Sequence, residues 1–296
     1  MSTRIALRVL CAAAAVWATS AGAQQTSKTY GPTRTDYSVS LDRMFAAGEH
    51  FRLAPEPLRS YTDARKWYEM AANAGDRRSM ALLGWLYRTA NGVEQNDAKA
   101  RHWYARAYDE GYRDAWLQYG LGLLTLHGRG GARDEVAGHT FMVAAAALGY
   151  APAMYHVAWN FEEGRGVRTD YERARRWYEV AASAGNPEAM TRLAHIYHKG
   201  RGVKQDLGEA RRWYDRAAAA GQSDAMYNLG VMAESGEGMR RDTASAAGWY
   251  AKAAAIGHAE AGAALGALGY AKAAVAPAKP RLGDRTAAVT AKPGGA

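Results

Sequence analysis

Cysteine, phenylalanine and long apolar runs are scarce in this chain of 296 residues. The single cysteine, Cys11, has no second thiol to pair with, which excludes a disulfide framework within the chain. Beyond the N-terminal segment no apolar stretch is long enough to cross a bilayer, so the sequence predicts no transmembrane helix. Only 4 phenylalanines stand beside 18 tyrosines and 9 tryptophans. This skewed aromatic composition indicates that one type of segment has been copied several times.

Acidic residues are outnumbered, with 29 Asp and Glu against 38 Lys and Arg. The formal charge of +9 by itself favours binding to nucleic acid or another polyanion. Much of it lies at the chain ends, because Arg4 and Arg8 contribute +2 and residues 271–296 contribute +4. Residues 24–270 keep only +3. We therefore expect no specific nucleic-acid partner, and only a weak contact of the basic tail with anionic polymers.

The N-terminal segment, residues 1–23, resembles an export signal. Arg4 and Arg8 precede an apolar run from Val9 to Val16, and the small residues Ala21-Gly22-Ala23 form a typical cleavage site. An amphipathic N-terminal helix is the alternative, but no polar face recurs at helical spacing. The mature chain is thus predicted to start at Gln24, without a thiol, in the periplasm or outside the cell.

An aromatic pair recurs through most of the chain at a spacing of 36 residues, with one spacing of 38. A glycine follows each pair by eight residues, and an Asp, Asn or Ser precedes it by seven. The pairs begin at Trp67, Trp103, Trp177, Trp213 and Trp249, and Phe141-Met142 fills the gap in the third unit. The glycines are Gly75, Gly111, Gly149, Gly185, Gly221 and Gly257, and the preceding polar residues are Ser60, Asn96, Asp134, Asp170, Asp206 and Asp242.

Each aromatic pair is predicted to lie on a helix, here called a B helix. The polar residue before it is an N-cap, whose side-chain oxygen accepts a hydrogen bond from a first-turn amide. Apolar residues then recur at helical spacing, and the glycine ends the helix because it adopts the left-handed conformation without penalty. The Trp-Tyr pairs fall on this apolar stripe, so they are assigned to packing rather than to ligand contacts.

A second helix, the A helix, follows each glycine. In the fifth unit Asn186 is its N-cap and Pro187 its first residue. Small residues recur near its start and allow close helix packing: Ser79, Ala115, Ala153, Ala189, Ala225 and Ala261. The A helix ends at turns such as Gly164-Arg165-Gly166. The turn Gly128-Arg129-Gly130-Gly131 is predicted to account for the single spacing of 38.

One helix pair cannot bury its own apolar stripe, but stacked pairs can, so the fold class is all-α, an α-solenoid. The predicted organisation is a signal peptide over residues 1–23, a flexible segment over 24–37, the solenoid over 38–272 and a disordered tail over 273–296. Residues 39–53 are predicted to form a degenerate first A helix.

The repeat itself resembles the Sel1-like repeat, a relative of the tetratricopeptide repeat. Ala189 to Gly221 matches Ala-x-x-x-Leu-Gly-x-x-Tyr-x-x-Gly-x-Gly-Val-x-x-Asp-x-x-x-Ala-x-x-Trp-Tyr-x-x-Ala-Ala-x-x-Gly, with Ala194 in place of the second consensus glycine. The resemblance implies a right-handed superhelix of antiparallel helix pairs that acts as a non-enzymatic protein–protein adaptor. Cysteine-rich exported relatives are linked to β-lactam binding or hydrolysis, which makes an envelope hydrolase or a β-lactam or peptidoglycan binder the alternative.

Arrays of this kind bind partners in a concave groove lined by A-helix positions outside the core stripe. These positions are −5, −2, +2 and +5, counted from the leucine of the consensus Leu-Gly. The residues assigned to that leucine position in successive units are Leu83, Tyr119, Val157, Leu193 and Leu229. The candidate groove residues are Arg78, Trp85, Arg88, Leu117, Leu121, Tyr155, Trp159, His195, His198 and Tyr227. Such a groove suits a peptide or helix, although its aromatic residues could instead pack against adjacent helices.

No pattern in the sequence nominates a catalytic, cofactor or metal site. His195 and His198 share a helix face, but no third ligand is evident. The Gly-x-Gly segments join helix to helix and lack the strand that a dinucleotide-binding turn requires. No Gly-x-Ser-x-Gly, His-Glu-x-x-His or Ser-x-x-Lys pattern occurs in the mature chain. We therefore predict no catalytic residues, no cofactor and no metal, and a protein or peptide as the partner.

Overall fold

The computed structural model describes residues 34–270, with the side chains of residues 40–270. Over this range it contains thirteen α-helices and no strand. The predictions for the signal peptide and for the tail from residue 273 lie outside the described residues. The described chain divides into two compact units, residues 34–112 and residues 113–270.

The helices alternate between A and B types, as the repeat predicts. The A helices are α1 (Arg34–Leu53), α3 (Arg77–Thr89), α5 (Ala115–His127), α7 (Ala151–Glu163), α9 (Pro187–Lys199), α11 (Ser223–Ser235) and α13 (Ala259–Ala267). The B helices are α2 (Tyr61–Asn73), α4 (Asp97–Asp109), α6 (Glu135–Ala147), α8 (Tyr171–Ser183), α10 (Leu207–Ala219) and α12 (Thr243–Ala255). Within each unit every helix packs against the next one along the chain.

All six predicted B-helix N-caps are confirmed. The side chain of Asp170 accepts a hydrogen bond of 2.9 Å from the amide of Arg173, and Asp206 accepts one of 2.9 Å from Glu209. Ser60, Asn96, Asp134 and Asp242 make the same bond. Asn186 caps α9, with Pro187 as its first residue. These bonds fix each helix start by local chemistry.

The first A helix begins earlier than predicted. Residues 34–37, assigned to a flexible segment, form the first turn of α1. This turn reads Arg-Thr-Asp-Tyr, so it offers no apolar periodicity by which its helical state could be recognised.

The spacing of 38 residues arises from two extra residues, and these lie before α5. The prediction that they lie in the turn after α5 is therefore wrong. The five pairs from α3 to α12 have the same offset between the start of the A helix and the start of the B helix. By contrast, the step from Asp97 of α4 to Ala115 of α5 is two positions longer than the step from α2 to α3. The insertion therefore lies between Gly111 and the N-cap Asp114, where the boundary between the two compact units also falls.

The core of the second unit is a succession of overlapping apolar clusters. One runs from Tyr119 on α5 to Ile196 on α9, the next from α9 to α11, and the last from α11 to α13. Trp213 packs against both the first and the second cluster. Each helix pair thus shares its core with its neighbours, as expected for a solenoid.

The Gly-x-Gly turns serve packing. Gly166 has a φ of 67°, and a Cβ there would lie 2.0 Å from the carbonyl oxygen of Glu135, at the start of the preceding B helix. Gly202 lies in the same way against Tyr171, 2.7 Å from that Cβ position to the tyrosine Cβ. A side chain at either glycine would push the turn away from its neighbour.

Candidate functional site

The two residues of the Trp-Tyr pairs differ in their environment. The tyrosines Tyr68, Tyr104, Tyr178, Tyr214 and Tyr250 are all 0–1% exposed. The tryptophans are half-buried, and cations stack on three of them: Arg106 on Trp103, Arg216 on Trp213 and Lys252 on Trp249. The tyrosines are core residues, whereas Trp213 packs against two successive core clusters.

Three candidate residues lie on α3 in the first unit. Arg78 is ion-paired to Asp42 at 2.6 Å and to Asp76 at 2.9 Å. Trp85 is buried, with its ring 5.9 Å from that of Tyr61. Arg88 is half-buried, and its Nε lies 3.4 Å from the hydroxyl of Tyr104. Arg78 and Trp85 are thus engaged in contacts within the unit.

Leu117 and Leu121 are core residues, and the groove positions assigned to them were wrong. Because the insertion precedes α5, the equivalent of Leu83 is Leu121 rather than Tyr119. Leu121 is 4% exposed and Leu117 0%. Positions −2 and +2 of this helix are instead occupied by Tyr119, which is buried, and Leu123, which is half-buried.

Tyr155, Trp159 and Tyr227 are half-buried on α7 and α11. Tyr155 and Trp159 rest on the cluster that joins α5 to α9. The ring of Tyr227 stacks on His258, with 4.6 Å between centroids and an angle of 15°. Each ring is therefore held by packing within the unit, while part of its surface stays accessible to solvent.

The two candidate histidines of α9 have different surroundings. His198 is 5% exposed, and its Nε2 donates a 2.7 Å hydrogen bond to Glu237. His195 is half-buried, and its burial, together with the positive charge of Arg201, lowers its pKa. His195 is thus neutral at physiological pH.

Positions −2 and +2 of α7, α9 and α11 form a row of half-buried side chains, here called the A-face. The two positions of one helix are four residues apart and so lie on the same side. The A-face consists of Tyr155, Trp159, Thr191, His195, Tyr227 and Val231.

A group of charged residues borders the A-face at α7 and α9. Glu162 is 5% exposed and accepts a 2.7 Å hydrogen bond from the hydroxyl of Tyr178. Arg201 lies 3.9 Å from the same carboxylate, and Arg165 stacks on Trp159 with 4.0 Å from its Cζ to the ring centroid. Arg192 lies beside Tyr155, Tyr178 and Glu162.

Sequence reasoning missed these arginines because they do not occupy any of the four groove positions. Arg165 and Arg201 are in Gly-Arg-Gly turns that are one repeat apart. That repetition of an arginine at one position of a turn was the available signal.

Among the described residues, no three His, Cys, Asp or Glu side chains converge as metal ligands. None of the described helices is long and apolar enough to cross a membrane.

The Sel1 repeat model matches six segments of the chain: residues 47–76, 77–112, 117–150, 151–186, 187–222 and 223–258. Together they cover more than half of the sequence. The chain belongs to the Sel1 repeat family. Sel1 repeat proteins are typically protein–protein interaction scaffolds. No curated protein gives a significant match.

Two solved Sel1 repeat structures are similar to the chain. One is c5321, a protective antigen of uropathogenic Escherichia coli with an SLR fold, at 28% identity and a TM-score of 0.68. The match covers 77% of this chain but 49% of c5321, so the chain spans about half the length of that protein. The other is a Sel1 repeat protein from Oxalobacter formigenes, at 27% identity and a TM-score of 0.63, covering 80% of this chain and 91% of that one. Both support the assignment of an α-solenoid.

Proposed function

We propose that this protein is a non-enzymatic scaffold that binds a peptide or helix of a partner protein on the A-face of its second unit. The observation that supports this most directly is the half-burial of Tyr155, Trp159 and Tyr227. Each ring is held by the core, so binding immobilises little further side-chain motion. Rigid aromatic rings with one accessible face are typical anchors of protein interfaces.

The polar positions of the A-face add selectivity. Thr191 and His195 lie between the two aromatic rings of α7 and the Tyr227 ring of α11, and neutral His195 can donate or accept a hydrogen bond. A partner chain would thus contact apolar area at both ends of the row and polar groups between them.

Replacing Tyr155, Trp159 and Tyr227 together by Ser tests the proposal. Partner capture from envelope extract should be lost, while the helical circular dichroism spectrum is retained. The matched control replaces Leu148, Val180 and Ile256 by Ser, because these residues are 57%, 46% and 51% exposed and lie outside the A-face. Equal capture by the parent and both variants would overturn the proposal.

We also propose that the protein is exported to the periplasm or beyond the cell. The support is the basic, apolar and small-residue order of residues 1–23. Mass spectrometry of the protein from the periplasmic fraction should find Gln24 as the first residue. Recovery of the intact chain from the cytosol alone would contradict export.

The alternative, an envelope hydrolase or a β-lactam binder, makes a different prediction. Purified mature protein would then hydrolyse a chromogenic cephalosporin or peptidoglycan. The scaffold proposal predicts no turnover of either substrate. A rate abolished by substitutions on the A-face would favour the hydrolase.

A further inference from the structure

Arg192 is a half-buried cation on α9. Burial lowers its pKa, but the neighbouring Tyr155, Tyr178 and Glu162 raise it by more, so the guanidinium stays charged. Among the described residues it forms no ion pair within 4.0 Å, so its attraction to Glu162 acts over a longer distance. A partly desolvated charge without a close counter-ion is stabilised by an anion that binds beside it.

The surroundings of Arg192 hold more arginines than buried carboxylates. Arg165 and Arg201 flank the same region, while Glu162 is its only buried carboxylate among the described residues and already accepts a hydrogen bond from Tyr178. The side chains of Glu163 and Glu188, on the same two helices, form no ion pair with these arginines in the described part of the chain. The α7–α9 end of the A-face therefore favours an incoming carboxylate.

The α11–α13 end has the opposite charge. Asp224 and Glu260 flank His258, and their side chains are 71% and 73% exposed. His258 lies on the face of Tyr227 and is the N-cap of α13, because its Nδ1 accepts a 3.3 Å hydrogen bond from the amide of Ala261. This end favours a lysine or arginine side chain with its stem on the Tyr227 ring.

We propose that the A-face binds an extended peptide segment that places an acidic side chain at Arg192 and a basic side chain at Asp224 and Glu260. This inference rests on the proposed function and names the chemistry of its partner. Arg192 lies on α9, Asp224 on the next A helix, α11, and Glu260 on α13, so the two ends are one to two helix steps apart, roughly 8–20 Å. At about 3.3 Å per residue the two charges of the peptide lie about three to six residues apart.

A peptide fits this charge distribution better than a uniformly anionic polymer does. A nucleic acid or sulfated glycan that followed the row from Arg192 would meet Asp224 and Glu260 with like charge. A segment with both signs of charge meets a complementary group at each end.

A random twelve-residue peptide library displayed on phage provides the probe. Selection on the full chain should enrich peptides in which an acidic residue and a basic residue are about three to six positions apart. The most enriched peptide is then synthesised beside a version with its acidic residue changed to the amide. Calorimetry with the parent, with Arg192→Gln and with Arg168→Gln gives a double-mutant cycle, with exposed Arg168 as the matched control.

Arg192→Gln should weaken binding of the acidic peptide at least tenfold and leave the amide peptide nearly unchanged, while Arg168→Gln changes neither. If Arg192→Gln proves unfolded by circular dichroism, Arg192→Lys keeps the charge without the planar fork and should give an intermediate loss. Enriched peptides without a shared acidic residue, equal weakening of both peptides, or no enrichment would overturn the inference.

The proposed function has its own outcome in the same experiment. Enriched peptides of any charge that lose binding on substitution of Tyr155, Trp159 and Tyr227 support it even when the acidic preference fails. Peptides that bind that triple variant as well as the parent contradict it.

Discussion

The hydroxyl of Tyr178 donates a 2.7 Å hydrogen bond to Oε2 of Glu162, a carboxylate that is 5% exposed. Tyr250 and Glu234 make the same bond at 2.7 Å. Tyr214 occupies the equivalent position one repeat after Tyr178, but its buried hydroxyl has no hydrogen-bond partner among the described residues. Repeats with the same fold therefore differ in whether the hydroxyl of the buried B-helix tyrosine has a hydrogen-bond partner.

This difference predicts that replacing tyrosine by phenylalanine affects stability differently at Tyr178 and at Tyr214. Tyr178→Phe leaves the buried carboxylate without its donor and should lower the free energy of unfolding by about 1.5–3 kcal/mol. Tyr214→Phe removes an unsatisfied hydroxyl and should leave stability unchanged or raise it by up to about 1 kcal/mol. Urea denaturation of the two variants measures both, and equal losses would contradict the assignment.

Ala90 is strained at the end of α3. It has a φ of 58°, in the left-handed region, whereas the equivalent helix ends are Gly128, Gly164, Gly200 and Gly236. Ala90→Gly should therefore stabilise the protein by about 1 kcal/mol. The reverse change, Gly200→Ala, should destabilise it by about the same amount. Thermal unfolding of both variants checks the sign, and a lower melting temperature for Ala90→Gly would refute the strain.

Two glycines of the last repeat should respond oppositely to alanine. A Cβ at Gly230 would lie 2.5 Å from Cε1 of Tyr250, so Gly230→Ala should cost about 1–3 kcal/mol. Gly248, inside α12, has nothing within 4 Å of its Cβ position, so Gly248→Ala should gain about 0.5–1 kcal/mol from helix propensity. Chemical denaturation tests the pair. A stabilising Gly230→Ala would show that the tyrosine ring can move aside.

His156 is predicted to make stability depend on pH. Burial, and then the charge of His127, lower its pKa from 6.5 to about 4. Between these two pH values the unfolded chain binds a proton at this histidine and the folded chain does not. The contribution of neutral His156 to the free energy of unfolding is therefore complete above pH 6.5 and is lost as the pH falls to about 4, for a total of about 3 kcal/mol.

Denaturation of the parent and of His156→Gln at pH 7 and pH 4.5 isolates this contribution. The parent should lose more stability than the variant over this interval, because glutamine does not titrate. Parallel losses would mean that other groups account for the acid sensitivity.

The basic tail makes a separate prediction. Residues 271–296 carry a net charge of +4, so the full chain should be retained on heparin and released by moderate salt. Deletion of residues 271–296 should abolish the retention. Retention unchanged by the deletion would place the anion-binding surface on the repeats.

The helix boundaries could be predicted from the sequence because they depend on local chemistry. Asp170 caps α8 through a residue three positions away, and Gly185 follows it with a left-handed φ of 86°. The register of α5 could not be read in this way. The two inserted residues precede Asp114, and the leucine-rich sequence of α5 offered two plausible alignments to the Leu-Gly position.

The charged part of the candidate site could not be predicted because tertiary packing assembles it. Arg192 comes from the middle of a helix and Arg201 from the turn after it, and only the packed pairs bring them to Glu162, while Arg165 of the preceding turn stacks on Trp159. The burial of Trp85 could not be predicted from the sequence either, because a half-buried and a fully buried aromatic residue have the same sequence pattern.

The constant offset from A helix to B helix in the five pairs from α3 to α12 defines the block that can be removed by engineering. Excision of residues 187–222, one complete repeat, would join Asn186 to Ser223. Asn186 already caps α9 through its side chain, whereas Gln222 makes no such bond to α11, so the new junction would be better capped than the old one. The length of this array is thus adjustable in whole repeats.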